Sequence, residues 1–139
     1  MARIVGSTVR RFNSDGHLWG VSRFPATNPM STRLADGVTV VDERWRDSAS
    51  RELMSYVYLN AAERAVYRGL VPLAPRHWLL GRIAAKDAVR YALADAGAPP
   101  VYPAEITIGD DAEGRPYVAA CPHGGTDLAV AVGTTTWVG

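Results

Sequence analysis

Three cations stand at helical spacing in this sequence: Arg82, Lys86 and Arg90, at i, i+4 and i+8. On a helix they form one basic stripe, and Asp87 lies beside Lys86 and one turn before Arg90. Cations next to a carboxylate suit a phosphate that arrives with a divalent metal: the cations take phosphate oxygens and the carboxylate helps hold the ion. The plain alternative is a solvated helix face carrying an ordinary Arg–Asp pair, which spacing alone favours. Gly114-Arg115-Pro116 would set an arginine on a rigid turn, a mount for an anion clamp or simply a hairpin tip. His123 stands before Gly124-Gly125, where the backbone can come close to a phosphate, although a loop histidine is more often just exposed. Fourteen of the fifteen basic residues are arginine, so the single lysine, Lys86, either marks a site that needs a compact ammonium or is a chance survivor.

Other chemistries lack their residues. Cys121 is the only cysteine, which excludes an internal disulfide and a cysteine-rich zinc site. No Cys-His-Asn arrangement supports it as a nucleophile. A serine-hydrolase elbow, a Walker loop, a dinucleotide glycine fingerprint and an HExxH helix are absent. Trp19, Trp45, Trp78 and Trp137 are scattered, which suits core positions better than a stacking platform. With a formal charge of +1, no global basic field points to nucleic acid.

The elements that must carry these residues follow from periodicity. Arg76 to Ala96 contains no proline and many helix formers, with Trp78, Ala85, Val89, Leu93 and Ala96 along one side and Leu79 and Ile83 widening the stripe. Gly97 is placed as a C-terminal cap and Pro99-Pro100 blocks extension. Asp47 or Ser48 opens an earlier helix in which Leu53, Tyr56 and Val57, at i, i+3 and i+4, predict a buried face. Asn60 and Glu63 have capping-box spacing for a short helix ending at Gly69, and Pro72 and Pro75 prevent it from continuing. Beyond the long helix the pattern turns to β: Ile106 and Ile108, a turn over 110–114, Tyr117-Val118 as the return strand, and Leu128 to Val132 as a buried strand. Upstream, Ile4-Val5, Thr8-Val9 and Val38 to Val41 read as strands, Asn13 to Gly16 as a turn, and Pro25 and Asn28-Pro29 as breaks in an irregular stretch.

These elements predict an α+β fold, a small antiparallel sheet packed on one long helix. The chain of 139 residues has room for one domain, with an irregular, partly β segment over 1–47 and the main lobe over 48–139. Hydrophobic residues at 47% and charged residues at 21% are ordinary globular proportions. No run of about 18 apolar residues is present to span a membrane, and the N-terminus lacks a signal-peptide stretch. A soluble cytoplasmic protein is the expectation.

Taken in order, the motifs resemble a known superfamily. Trp78-Leu79-Leu80-Gly81-Arg82-Ile83-Ala84-Ala85-Lys86-Asp87-Ala88-Val89-Arg90 resembles the W-x-x-K-E-A helix of 4′-phosphopantetheinyl transferases. Ile106 to Val118, with Gly114-Arg115-Pro116, resembles their hairpin ending in G-K/R-P, and His123 with Asp127 to Ala131 resembles their S-H-x-x-x-A-x-A strand. Together with Tyr102 to Ile106, the variant is similar to the transferase-type domain of actinobacterial modular and enediyne-type polyketide synthases, over about residues 50–133. The resemblance implies transfer of the phosphopantetheine arm of coenzyme A to a serine of an acyl carrier protein, with Mg²⁺ held by carboxylates. It implies catalytic roles for Lys86 and Asp87, and coenzyme A contacts from Arg82, Lys86, Arg90, Arg115 and His123. Asp87 would be a metal ligand, and Asp42 or Glu43 would supply the second in a shifted register, because Thr39 stands where the family's G-x-D strand has its aspartate. Asp87 is one methylene shorter than the usual glutamate, and Pro122 replaces the usual serine. The family's later G-x-D-x-E strand would begin near Trp137-Val138-Gly139, so the expectation includes a single lobe. Such a lobe could be non-catalytic, docking on a polyketide synthase or a second lobe, or assembling as a homo-oligomer.

Overall fold

The structure, a computed structural model, describes residues 3–9, 29–35, 37–42, 48–70 and 75–134. The turn expected at 13–16, Pro25, Asn28, Glu43, Asp47, Pro72 and the tryptophans Trp19, Trp45 and Trp137 lie outside the described residues. The fold is α+β. Strands β1 (Arg3–Val9), β2 (Thr32–Ala35) and β3 (Val38–Asp42) precede helices α1 (Ser48–Tyr58), α2 (Ala61–Leu70) and α3 (Pro75–Asp95). Strands β4 (Thr107–Asp110), β5 (Pro116–Ala120) and β6 (Ala129–Thr134) follow, with short 3₁₀ turns at Pro103–Glu105 and Gly125–Asp127.

The hairpin β4–β5 is antiparallel as expected, and so is β2–β3. The larger sheet, however, is mixed. Its order is β2-β3-β1-β6, and β1 runs parallel to both β3 and β6. Parallel neighbours require crossovers, and the three helices lie between β3 and β6 in the chain. The described strands of 1–47 and the last strand of 48–139 thereby share one sheet.

At α3 the sequence signals and the structure agree closely. Gly97, at φ 85°, ends the helix in a Schellman arrangement: Ala98 N donates to Leu93 O at 2.9 Å and Gly97 N to Ala94 O at 3.0 Å. The helix is buried on almost every side. One flank packs Ala85, Ala88, Val89 and Leu93 against Val101, Ile106, Ile108 and Val118. The other packs Leu79, Leu80, Ile83 and Ala84 against Val41, Tyr58, Leu59 and Tyr67. Gly81 allows close approach to β6, since a Cβ there would stand 3.1 Å from Val132 Cγ1. Of the residues expected in the core, Ile83, Ala85, Val89 and Leu93 are buried, while Trp78, Leu128 and Val130 pack on the core half-buried.

The expected inner face of α1 is turned outward. Leu53, Tyr56 and Val57 are exposed, whereas Ser55 and Tyr58 are buried. The side turned inward combines both kinds of contact: Tyr58 and Met54 pack on Leu79, Leu80 and Ile83, and the Tyr58 hydroxyl donates to Asp87 on α3. Among the described residues, no helix is long and apolar enough to cross a membrane.

Candidate functional site

The basic stripe of α3 is neither a solvated face nor a surface open to a phosphate. Lys86 and Asp87 are 0% exposed, Arg90 1% and Arg82 7%. Each is engaged within the fold. Lys86 Nζ donates to Glu63 Oε1 at 2.5 Å, to Tyr58 O at 2.7 Å and to Pro103 O at 3.1 Å. Those three acceptors match the three ammonium protons. Burial lowers the Lys86 pKa, and the Glu63 carboxylate pulls it back up.

Asp87 is equally occupied. Its Oδ1 accepts from the Tyr58 hydroxyl at 2.9 Å and from Arg90 Nη1 at 3.1 Å, and its Oδ2 accepts from Ser31 N at 2.9 Å. Burial raises the Asp87 pKa, while Arg90 and the donors from Ser31 and Tyr58 oppose the rise. Tyr58 has its own pKa pushed well up by burial and by Asp87, so the phenol keeps its proton and donates it. It also accepts from Met30 N at 2.9 Å. Arg90 reaches on through Nε to Val101 O at 2.9 Å. Arg82 Nη2 binds Asp110 Oδ2 at 2.6 Å, with its guanidinium carbon 4.7 Å above the Trp78 ring.

Glu63 is the residue that sequence reasoning undervalued. The capping box is present, with Asn60 N donating to Glu63 Oε1 at 3.1 Å and Glu63 N to Asn60 Oδ1 at 3.0 Å. The same carboxylate also pairs with Lys86 and, through Oε2, accepts from Ile108 N at 3.0 Å. One side chain thus starts α2, neutralises α3 and holds β4. The spacing Asn60–Glu63 was the available signal, and it carried only the first of these roles.

The remaining expected contacts stand apart. Arg115 is 73% exposed at the side chain, on the β4–β5 turn, where it pairs with Asp111 and Glu113 at 3.2 Å each. The Asp111 carboxylate accepts Arg115 N at 2.8 Å and Glu113 N at 2.9 Å, and these donors hold its pKa down. His123 is exposed in left-handed backbone at φ 59°, followed by Gly124 at φ 78°. Arg115 and His123 flank β5 at opposite ends, so they do not converge on one phosphate. Cys121 packs against Gly125 so closely that a Cβ at 125 would fall 2.2 Å from Sγ, and burial raises the thiol pKa. That environment suits packing rather than nucleophilic attack.

The magnesium role of Asp87 does not fit. Both its oxygens face N–H and O–H donors, one of them cationic, and a cation would have to displace them. Asp42 ends β3 and its side chain lies outside the described part, as does Glu43. Among the described residues no group of three His, Cys, Asp or Glu side chains is set to hold a metal. At Thr39, Oγ1 donates to Ala84 O at 2.8 Å, so an aspartate there would oppose a carboxylate to a buried carbonyl. Thr39 is therefore part of the packing of α3 on β3. Compared with protein-family models, with curated proteins and with solved structures, the chain matches none.

Proposed function

We propose that the chain is a 4′-phosphopantetheinyl-transferase-like lobe that handles coenzyme A for transfer of its arm to a serine of an acyl carrier protein in polyketide synthesis. What supports this reading is that the three separate motif segments pack together: α3 meets the β4–β5 hairpin and β6, and β5 lies beside β6. In the transfer, the serine oxygen bonds to the β-phosphorus, the bond to the 3′,5′-ADP oxygen breaks with its electron pair going to that oxygen, and the serine proton passes to solvent water. Here Lys86 and Asp87 do not touch phosphate: they hold α3 to its neighbours. The exposed Arg115 and His123 are left to meet the nucleotide phosphates, each as a separate contact. The reading carries the expected cytoplasmic location with it.

A second reading draws on the saturation of Lys86 and Asp87. A lobe whose motif residues are wholly engaged inside the fold suits a non-catalytic docking partner for a polyketide synthase or a second lobe. One experiment separates the two. The protein is incubated with coenzyme A and apo carrier protein, with Mg²⁺ and with chelator, and the carrier is weighed by mass spectrometry while coenzyme A binding is titrated by calorimetry. Transfer of the arm, with binding weakened by Arg115→Ala and His123→Ala, supports the transferase reading. Binding without transfer favours the docking lobe. No binding of coenzyme A rejects the site.

A further inference from the structure

We propose that the outward face of α1, together with Arg64 and Arg68 of α2, docks an amphipathic helix of a partner protein that presents carboxylates around an apolar ridge. The inference does not depend on the function proposed above. Leu53, Tyr56 and Val57 lie within about one-third of the helical circumference and are 59%, 53% and 41% exposed. An apolar stripe at i, i+3 and i+4 is the pattern by which a helix meets another helix. In this fold α1 buries its other side, with Ser55 inside and the Tyr58 hydroxyl on Asp87 of α3, so Leu53 and Val57 stay exposed and Tyr56 is met only by the arginines of α2 among the described residues.

Charge says what would cover it. The Arg64 guanidinium lies 5.4 Å from the centre of the Tyr56 ring and that of Arg68 lies 5.9 Å from it. Arg68 Nη2 donates to the Tyr56 hydroxyl at 2.9 Å, and Arg64 Nη1 donates to Leu59 O at 2.6 Å. Both arginines are thus held in place by neutral groups, and among the described residues no carboxylate is bound to either one. The exposed Glu52, one turn before Tyr56, is bound to neither. Two fixed cations beside an aromatic and two aliphatic side chains make an interface core with a positive rim, and tyrosine and arginine are the residues that carry most binding energy in such settings. A second copy of this chain is disfavoured as the occupant, because a two-fold pairing of this face would set guanidiniums against guanidiniums. A negatively ridged helix satisfies both parts of the surface.

The test uses the whole chain and two synthetic helical peptides, both with leucines at i, i+3 and i+7. One has glutamates beside the leucines and the other has lysines. Binding is read by fluorescence anisotropy, and the chain's own association by sedimentation. The glutamate peptide is expected to bind, more tightly at low salt, and the lysine peptide is not. Leu53→Ser should weaken the glutamate peptide about tenfold and Arg68→Glu about three- to tenfold. Both residues are exposed, so melting curves should stay unchanged. The proposal is overturned by equal binding of the two peptides, by no binding of the glutamate peptide at millimolar concentration, by indifference to both substitutions, or by self-association that Leu53→Ser abolishes.

Discussion

Lys86 directs its three ammonium protons to Glu63 and to two backbone carbonyls, and Asp87 beside it takes up Tyr58, Arg90 and Ser31. Two adjacent residues therefore face different neighbours and hold different elements. Lys86→Ala would leave the Glu63 carboxylate buried without its cation, and we expect a loss of about 3–5 kcal/mol in urea unfolding. A solvated lysine would cost no more than about 0.5 kcal/mol, so the measurement discriminates. Asp87 supplies a pH signature. Its folded pKa lies above the ordinary 3.8, so in the window between that value and the raised one the native state holds the more protons. This group therefore makes stability fall as pH rises through the window. Asp87→Asn removes that contribution. Urea midpoints followed upward from about pH 4 should then show a less negative slope for the variant than for the wild type; parallel slopes would refute the assignment.

At the level of elements, two leucines on faces of the same apparent kind separate α1 from α3. Leu93 is 6% exposed and packs in the core beside Val89, while Leu53 is 59% exposed. Leu93→Ala should cost about 2–4 kcal/mol and Leu53→Ala no more than about 0.5 kcal/mol, by the same unfolding assay. The bounds of α3 were legible because its end is local chemistry: Gly97 at φ 85° closes a Schellman turn that any side chain would strain. Gly97→Ala should lower stability by about 1 kcal/mol. The rotation of α1 was not legible. Its periodicity names an apolar face, but periodicity does not say whether the neighbour needs apolar surface or a hydroxyl, and Asp87 needs the hydroxyl of Tyr58.

Across the molecule, Glu63 joins three elements that sequence order keeps apart: the start of α2, the middle of α3 and the first residues of β4. Glu63→Ala should therefore lower hydrogen-exchange protection at the Ile108 amide, 45 residues away in the chain, as well as at the first turn of α2. A loss confined to α2 would reduce Glu63 to a cap. The parallel pairing of β1 with β3 and β6 likewise ties the two ends of the chain into one sheet around α3.

The sequence alone determined the local grammar of this protein. The span of α3, the Asn60–Glu63 box and the β4–β5 turn each depend on residues within a few positions of one another, so their signals lie side by side in the chain. Only the tertiary structure decided what the charged stripe does. A row of Arg82, Lys86 and Arg90 on a helix reads the same whether it faces water, a phosphate or buried acceptors. The choice belongs to groups far away in sequence: Glu63, Tyr58, Pro103, Val101 and Asp110. Likewise, β-branched and apolar runs mark β1, β3 and β6 as strands but not as parallel neighbours, because strand direction depends on how the chain crosses over through its helices, and no single strand carries that information.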